Sequence, residues 1–230
     1  MIDRPAPAPA RIVATFGFVD LAGFTARTED KGDEDAADVA SRFVALVRSV
    51  LGPEDRLVKT MGDAVLVTSP NPTAGITFVE ELLTVATVEV DFPTLRAGLH
   101  HGQAVVVDGD VFGAAVNLAA RVASEAHGGE VLGTLPIAEA AREAGIPVAE
   151  LGEVSLKNVR GVIPLFSLAL VVGVSDTPID PVCQVPVDRR GAAGRLRYRN
   201  REYWFCSLTC AAAFAANPSW HAASRSKPPR

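Results

Sequence analysis

The chain reads as an α+β protein: an antiparallel-rich sheet with helices packed on it, followed by a small cysteine-containing hairpin-helix unit. Three observations lead there. Short apolar runs alternate with helical stripes in the order strand, helix, hairpin, helix, strand, helix, strand, which suits helices on one face of a largely antiparallel sheet. Two of the stripes are long and regular, too long for strands. Composition changes abruptly at Asp176. From Asp176 onward nine Lys/Arg stand against four Asp/Glu, whereas residues 1–175 hold 13 and 23. All three cysteines, both tryptophans and both tyrosines also lie beyond it, so two modules are expected.

Composition bounds the function as well. Of the 230 residues, 48% are apolar, enough to bury a core in one or two domains. No run approaches the roughly 18–20 apolar residues of a membrane helix. The net charge of −5 argues against nucleic-acid binding. Residues 1–11 are rich in Pro and Ala and lack an apolar signal core, which predicts a disordered leader and a cytoplasmic protein. A linker is expected over 172–179 and a disordered tail over 222–230. Three cysteines in such a compartment favour a metal site or free thiols over a disulfide framework.

Taken in order, Ile12–Asp20 (IVATFGFVD) is a buried strand ending in a carboxylate, followed by a Gly-containing turn, Leu21-Ala22-Gly23-Phe24-Thr25. Such a turn can bring backbone N–H groups close to a phosphate. Asp33-Glu34-Asp35 opens a helix with acids in its first turn, where the macrodipole favours them. Its stripe runs through Ala36, Val39, Phe43 and Val47, and it stops at Gly52-Pro53. Lys59-Thr60-Met61-Gly62-Asp63 then sits between two apolar runs as the tip of a hairpin, presenting a lysine and a carboxylate. Asn71-Pro72 has the form of an N-cap followed by proline at the first helical position, opening a helix to about Thr87.

Leu95–Val107 predicts a strand pair or one long bent strand. His100 and His101 are neighbours in it and point to opposite faces, so they cannot easily chelate one metal. Past the short turn Asp108-Gly109-Asp110, a helix runs from about Ala115 to Ala126 with Asn117 and Arg121 on one face. A short strand at Glu130–Gly133, a helix at Pro136–Ala144, and strands at Val148–Leu156 and Leu165–Val171 complete the first module. Lys157 lies at the turn between the last two strands.

Five blocks now stand in order over residues 12–170: FVDLAGFT, LVKTMGDAVLV, RAGLHHG, GDVFGAAVNLAARVAS and LGEVSLKNV. Together they resemble the catalytic domain of class III adenylate and guanylate cyclases. The resemblance implies a ferredoxin-like cyclase fold over 12–171 and a head-to-tail homodimer with two interfacial sites. One protomer would supply Asp20 and Asp63 as ligands to two Mg2+ or Mn2+ ions. The other would supply Lys59 and Asp110 for the base, Asn117 for the ribose, Arg121 for the transition state and Lys157 for the triphosphate. The backbone of Leu21, Ala22, Gly23, Phe24 and Thr25 would cradle phosphates.

The chemistry suits these residue types. An in-line attack of the ribose 3′-hydroxyl on the α-phosphorus, expelling pyrophosphate, calls for two hard cations on carboxylates and for positive charge near the developing phosphorane. A lysine donor and a carboxylate acceptor complement the pairing edge of adenine, whereas guanine would prefer an acceptor at the lysine position. ATP is therefore the expected partner, forming cyclic AMP, with GTP and pyrimidine nucleotides as alternatives.

In the second module the spacing is Cys183-x22-Cys206-x3-Cys210. Cys206 and Cys210 share a helical face with Ser207 near the cap, and Cys183 lies in a knuckle before a hairpin. Three thiolates could converge on a soft ion, Zn2+ or Cu+, with His221 able to fill a fourth position. Residues 180–221 resemble the small YHS/TRASH-type domain associated with metal handling. Tyr203, Phe205 and Phe214 are its expected core. The rival to the enzyme is a non-catalytic metal-binding regulator using the cyclase fold as a dimerisation platform.

Overall fold

The alternation of apolar residues along β1 (Ala10–Leu21) sets the architecture. Phe16 and Ala14 point to one face of the sheet, Val19 and Leu21 to the other, and all four are buried. A strand buried on both faces needs helices on both. The computed structural model, which describes residues 10–170 and 178–222 apart from 184, 186 and 200, places them there. α2 (Asp33–Ser49), α3 (Pro72–Thr87) and α5 (Leu135–Glu143) cover one face, closing a core around Phe43, Phe78, Leu82 and Ile137. α4 (Ala114–Glu125) covers the other through Ala115, Val116 and Ala119. Helices on a single face were expected. The second face is apolar too, through Ala14, Phe16 and Leu66, and α4 seals it.

The sheet runs β2-β3-β1-β4-β6-β8-β7. Its first four members, β2 (Arg56–Met61), β3 (Ala64–Ser69), β1 and β4 (Leu95–Val107), pair antiparallel throughout. With one helical excursion after β1 and one after β3, this is the βαββαβ ferredoxin-like arrangement. β6 (Val131–Gly133) joins β4 in parallel, and β8 (Ile163–Leu168) and β7 (Val148–Val154) extend the edge antiparallel.

Leu95–Val107 is one strand of 13 residues. Its far end folds back on the three-residue β5 (Asp110–Phe112), and that short return is too brief to show in a periodicity. Pairing with β4 also starts β1 at Ala10, two residues before the expected Ile12, because Ala10 and Arg11 lie opposite Val106 and Val105. Most of the expected leader, linker and tail falls outside the described residues. Among those described, no helix is long and apolar enough to cross a membrane.

Close approach of α4 is set by one residue. A Cβ on Gly98 of β4 would fall inside the backbone of Val122 and Ala123, so only glycine lets the helix lie this near the strand. Asn71 caps α3 as its sequence suggests, its side chain accepting from Ala74 N at 3.0 Å. An eight-residue helix, α1 (Phe24–Lys31), was not anticipated. Its one buried residue is Arg27, so it has no apolar stripe. Charge anchors it instead: Arg27 donates to Asp35 of α2 at 2.6 and 2.8 Å and to Asp91 beyond α3 at 2.9 Å.

The remaining residues form a hairpin, β9 (Gly194–Tyr198) and β10 (Arg201–Phe205), then α6 (Leu208–Ala216) and the single turn α7 (Pro218–Ala222). Phe205, Phe214, Cys183 and Cys210 make its small buried cluster, with Tyr203 packed against it.

Candidate active site and metal centre

Asp20 and Asp63 come together because β1 and β3 are neighbours. Asp20 lies opposite Ala64, and Leu21 N donates to the Asp63 carbonyl at 3.1 Å. Gly62, at φ 67°, turns the chain sharply enough to put Asp63 at the strand end. Burial pushes the Asp20 carboxyl above its ordinary range and the charge of Asp63 adds to this, although Arg96 opposes both. Two half-buried carboxylates at adjoining strand ends, one of them disfavouring its own charge, suit a cation. By that measure the pair fits the hard divalent ions the sequence implies.

Arg96 was overlooked in the sequence. It lies directly opposite Asp20 in the β1–β4 register and donates to its carboxylate from Nε at 2.5 Å. Its Nη1 reaches the carbonyl of Ala126 just past α4, at 3.4 Å. It fixes Asp20 against rotation. The signal available was its place at the head of RAGLHHG, but the pairing that makes it matter is long-range.

Lys59 and Asp110 meet across 51 residues. The ammonium donates to both carboxylate oxygens at 2.8 and 2.7 Å, and Lys59 also lies over the ring of Phe112, 5.6 Å from its centroid. This contact, with the Val111 amide, holds the Asp110 carboxyl below the usual range. Asn117 and Arg121 are carried one turn apart on α4, and Lys157 is exposed on the turn after β7. Among the described residues, no hydrogen bond or ion pair joins Asp20 and Asp63 to Lys59 and Asp110, or either group to Asn117, Arg121 or Lys157. His100 bonds Thr134 at 2.8 Å and His101 bonds Thr15 at 3.0 Å, so the two histidines have separate, ordinary partners.

The expected phosphate cradle divides in two. The amides of Leu21 and Ala22 are occupied by the carbonyls of Asp63 and Thr94. Those of Gly23, Phe24 and Thr25 have no partner among the described residues. They open α1 without a side-chain cap, so any anion contact in this stretch falls to these three.

In the C-terminal unit the candidate donor atoms of Asp180, Cys183, Cys206 and Cys210 all lie within 4.8 Å of one another. The Cys183 and Cys206 sulfurs are 3.3 Å apart, and those of Cys206 and Cys210 3.9 Å. Hydrogen bonding from Cys183 lowers the Cys210 thiol to about 7. Ser207 caps α6 by accepting from Cys210 N, which orients that residue inward. Asp180 is fully buried. It accepts from Val182 N at 2.8 Å on one oxygen and from Cys206 N at 2.8 Å on the other, so it joins the two cysteine loops. Three sulfurs and a carboxylate fit a thiophilic cation in number and softness. The fourth residue of this group is Asp180; the ring of His221, the expected fourth position, lies by Phe214.

Comparisons with known proteins bear on the first module. The sequence pattern described as the adenylate and guanylate cyclase catalytic domain matches residues 10–169. The pH-sensitive adenylate cyclase of Mycobacterium tuberculosis (strain CDC 1551 / Oshkosh) is 36% identical over 164 residues, covering 70% of this chain and 41% of that protein. An adenylate cyclase of Streptomyces coelicolor is 37% identical over 126 residues, covering 54% of this chain and 32% of that one. The chain thus spans less than half the length of these curated relatives. Among solved structures, the adenylyl cyclase CyaB from P. aeruginosa superimposes with a TM-score of 0.62 at 19% identity, covering 74% of this chain and 98% of that one. At that identity the likeness speaks for the fold. The pattern match covers well over half of the sequence, and with it the chain belongs to the family of adenylate and guanylate cyclase catalytic domains.

Proposed function

We propose that the chain is a cytoplasmic adenylate cyclase that converts ATP to 3′,5′-cyclic AMP and pyrophosphate in a homodimer with two interfacial sites. The observation that carries this reading is the pairing of Asp20 and Asp63 at adjoining strand ends, with Asp20 disfavouring its own charge. Two Mg2+ or Mn2+ ions held there would supply Lewis acidity toward the 3′-hydroxyl and the leaving phosphates. Arg96 keeps the Asp20 carboxylate in one orientation. Asn117 orients the ribose. Arg121 and Lys157, both without an ion-pair partner among the described residues, would meet negative charge as it grows on the phosphorane oxygens and the pyrophosphate. A single chain leaves these groups in separate pieces, which supports a site completed by a second copy.

Lys59 and Asp110 support the choice of adenine. Held side by side, they present one donor and one acceptor, and an adenine edge satisfies both in place of their mutual bond. The relatives named as adenylate cyclases agree with this choice. The Lys59→Glu, Asp110→Cys double variant is expected to shift preference from ATP toward GTP, read as the ratio of kcat/KM for the two. An unchanged ratio would show that these residues do not read the base.

Residues 180–221 are proposed to form a YHS/TRASH-like module that takes Zn2+ or Cu+ at Cys183, Cys206 and Cys210. The overall reading is tested by incubating the full chain with ATP, GTP, CTP or UTP and Mn2+, and resolving products by mass spectrometry. Cyclic AMP from ATP is expected. No product from any nucleotide would overturn the enzyme and favour a metal-binding regulator.

A further inference from the structure

We infer that the cysteine cluster is a metal-held brake on the cyclase site, acting through the contact of Cys183 with the Gly23 turn. The inference rests on the cyclase reading above and adds to it a site of regulation and a ligand class, a thiophilic cation.

The contact is intimate. A Cβ on Gly23 would fall inside the carbonyl oxygen of Cys183, so the two backbones touch with no room for a methyl group. One turn on, Ala26 packs into the cluster of Cys183, Phe205, Cys210 and Phe214. The C-terminal unit therefore rests on the first turn of α1. Gly23, Phe24 and Thr25 are there, the residues whose amides remain open to an anion, since those of Leu21 and Ala22 are spent on Asp63 and Thr94.

Two features make this contact responsive to metal. First, the position of Cys183 depends on its tether to the other cysteine loop. Asp180 bridges the loops through Val182 N and Cys206 N, and the sulfurs of Cys183 and Cys206 are already 3.3 Å apart. Among the described residues the unit's apolar cluster has four buried side chains, so an ion joining three sulfurs would supply much of its order. Second, three thiolates and a carboxylate around a dication leave a net negative charge. That charge, together with the Cys183 carbonyl, stands beside the amides a triphosphate must reach, and like charge disfavours its approach. Loading holds the knuckle down on the turn, and removing the ion lets the turn accept phosphate.

The test uses the full reduced chain with Zn2+ as the probe, against the same chain stripped with a thiophilic-metal chelator and kept in Mg2+. Co2+ substitution reports thiolate ligation by its charge-transfer absorption. Affinity for a non-cyclisable ATP analogue and hydrogen exchange at residues 23–26 are then compared. One Zn2+ per chain, slower exchange at 23–26 and roughly tenfold weaker analogue binding are expected in the loaded form. Cys206→Ser, at the exposed member of the trio, should lose the ion and bind the analogue as the stripped chain does.

Absence of thiolate-bound metal would overturn the inference and leave the cyclase reading intact. So would a loaded chain whose affinity and exchange match the stripped one. Failure of both forms to make cyclic nucleotide would overturn the cyclase reading and the brake with it.

Discussion

Asp63→Ala is expected to lower cyclic AMP formation by at least about a hundredfold, the scale on which a single group that stabilises developing charge acts. The thermal midpoint should hardly move. Asp63 is half-buried just past the exposed turn of the hairpin, and the bond that ties this tip to β1 is made by its carbonyl, which alanine keeps. The loss should appear in kcat at saturating Mn2+, and raising the metal concentration should not restore it. Activity within tenfold of the unaltered chain would remove Asp63 from the metal site. The carboxylate is then a turn residue, and Asp20 alone carries the cation.

Gly98→Ala is the second large effect, and it strikes stability first. The added methyl meets backbone atoms of Val122 and Ala123, and backbone cannot rotate aside as a side chain can. α4 must lift from β4, opening contacts made by Val122, Ala119 and Ala126. A cost of about 3 kcal/mol or more is expected, a fall in Tm on the order of 10 °C for a chain of this size. Turnover should fall with it at temperatures where the variant is still folded, because Asn117 and Arg121 ride on the displaced helix. Calorimetry and turnover at 20 °C check the two parts separately. An unchanged Tm would mean that α4 has room the structure does not show.

Much of this arrangement was legible in the sequence because its signals are local. The hairpin tip at Gly62, the stripe of α2 and the Asn71-Pro72 start of α3 each declare themselves within a few residues. What stayed hidden depends on partners far along the chain. Arg96 matters only because β4 lies beside β1, and Asp180 only because its second oxygen reaches Cys206, 26 residues on. α1 escaped because its buried residue is an arginine, so hydrophobic periodicity had nothing to register. The spending of the Leu21 and Ala22 amides on Asp63 and Thr94 is likewise a property of pairing, invisible in a turn read alone.

Asp20 lies at the end of the strand that the sheet is built around, and it is a carboxylate that burial disfavours. Its proton affinity is raised in the folded chain above the ordinary value of 3.8. This group therefore favours folding only at acid pH, and the advantage is lost as pH rises through the folded value. At neutrality the charged carboxylate opposes the fold, and Arg96 offsets only part of that. Selection for robustness alone would replace it with asparagine. If the proposed cation role holds, utility and structural comfort pull in opposite directions at this one group. A cation bound there reconciles them, since whatever binds the folded form alone also stabilises it.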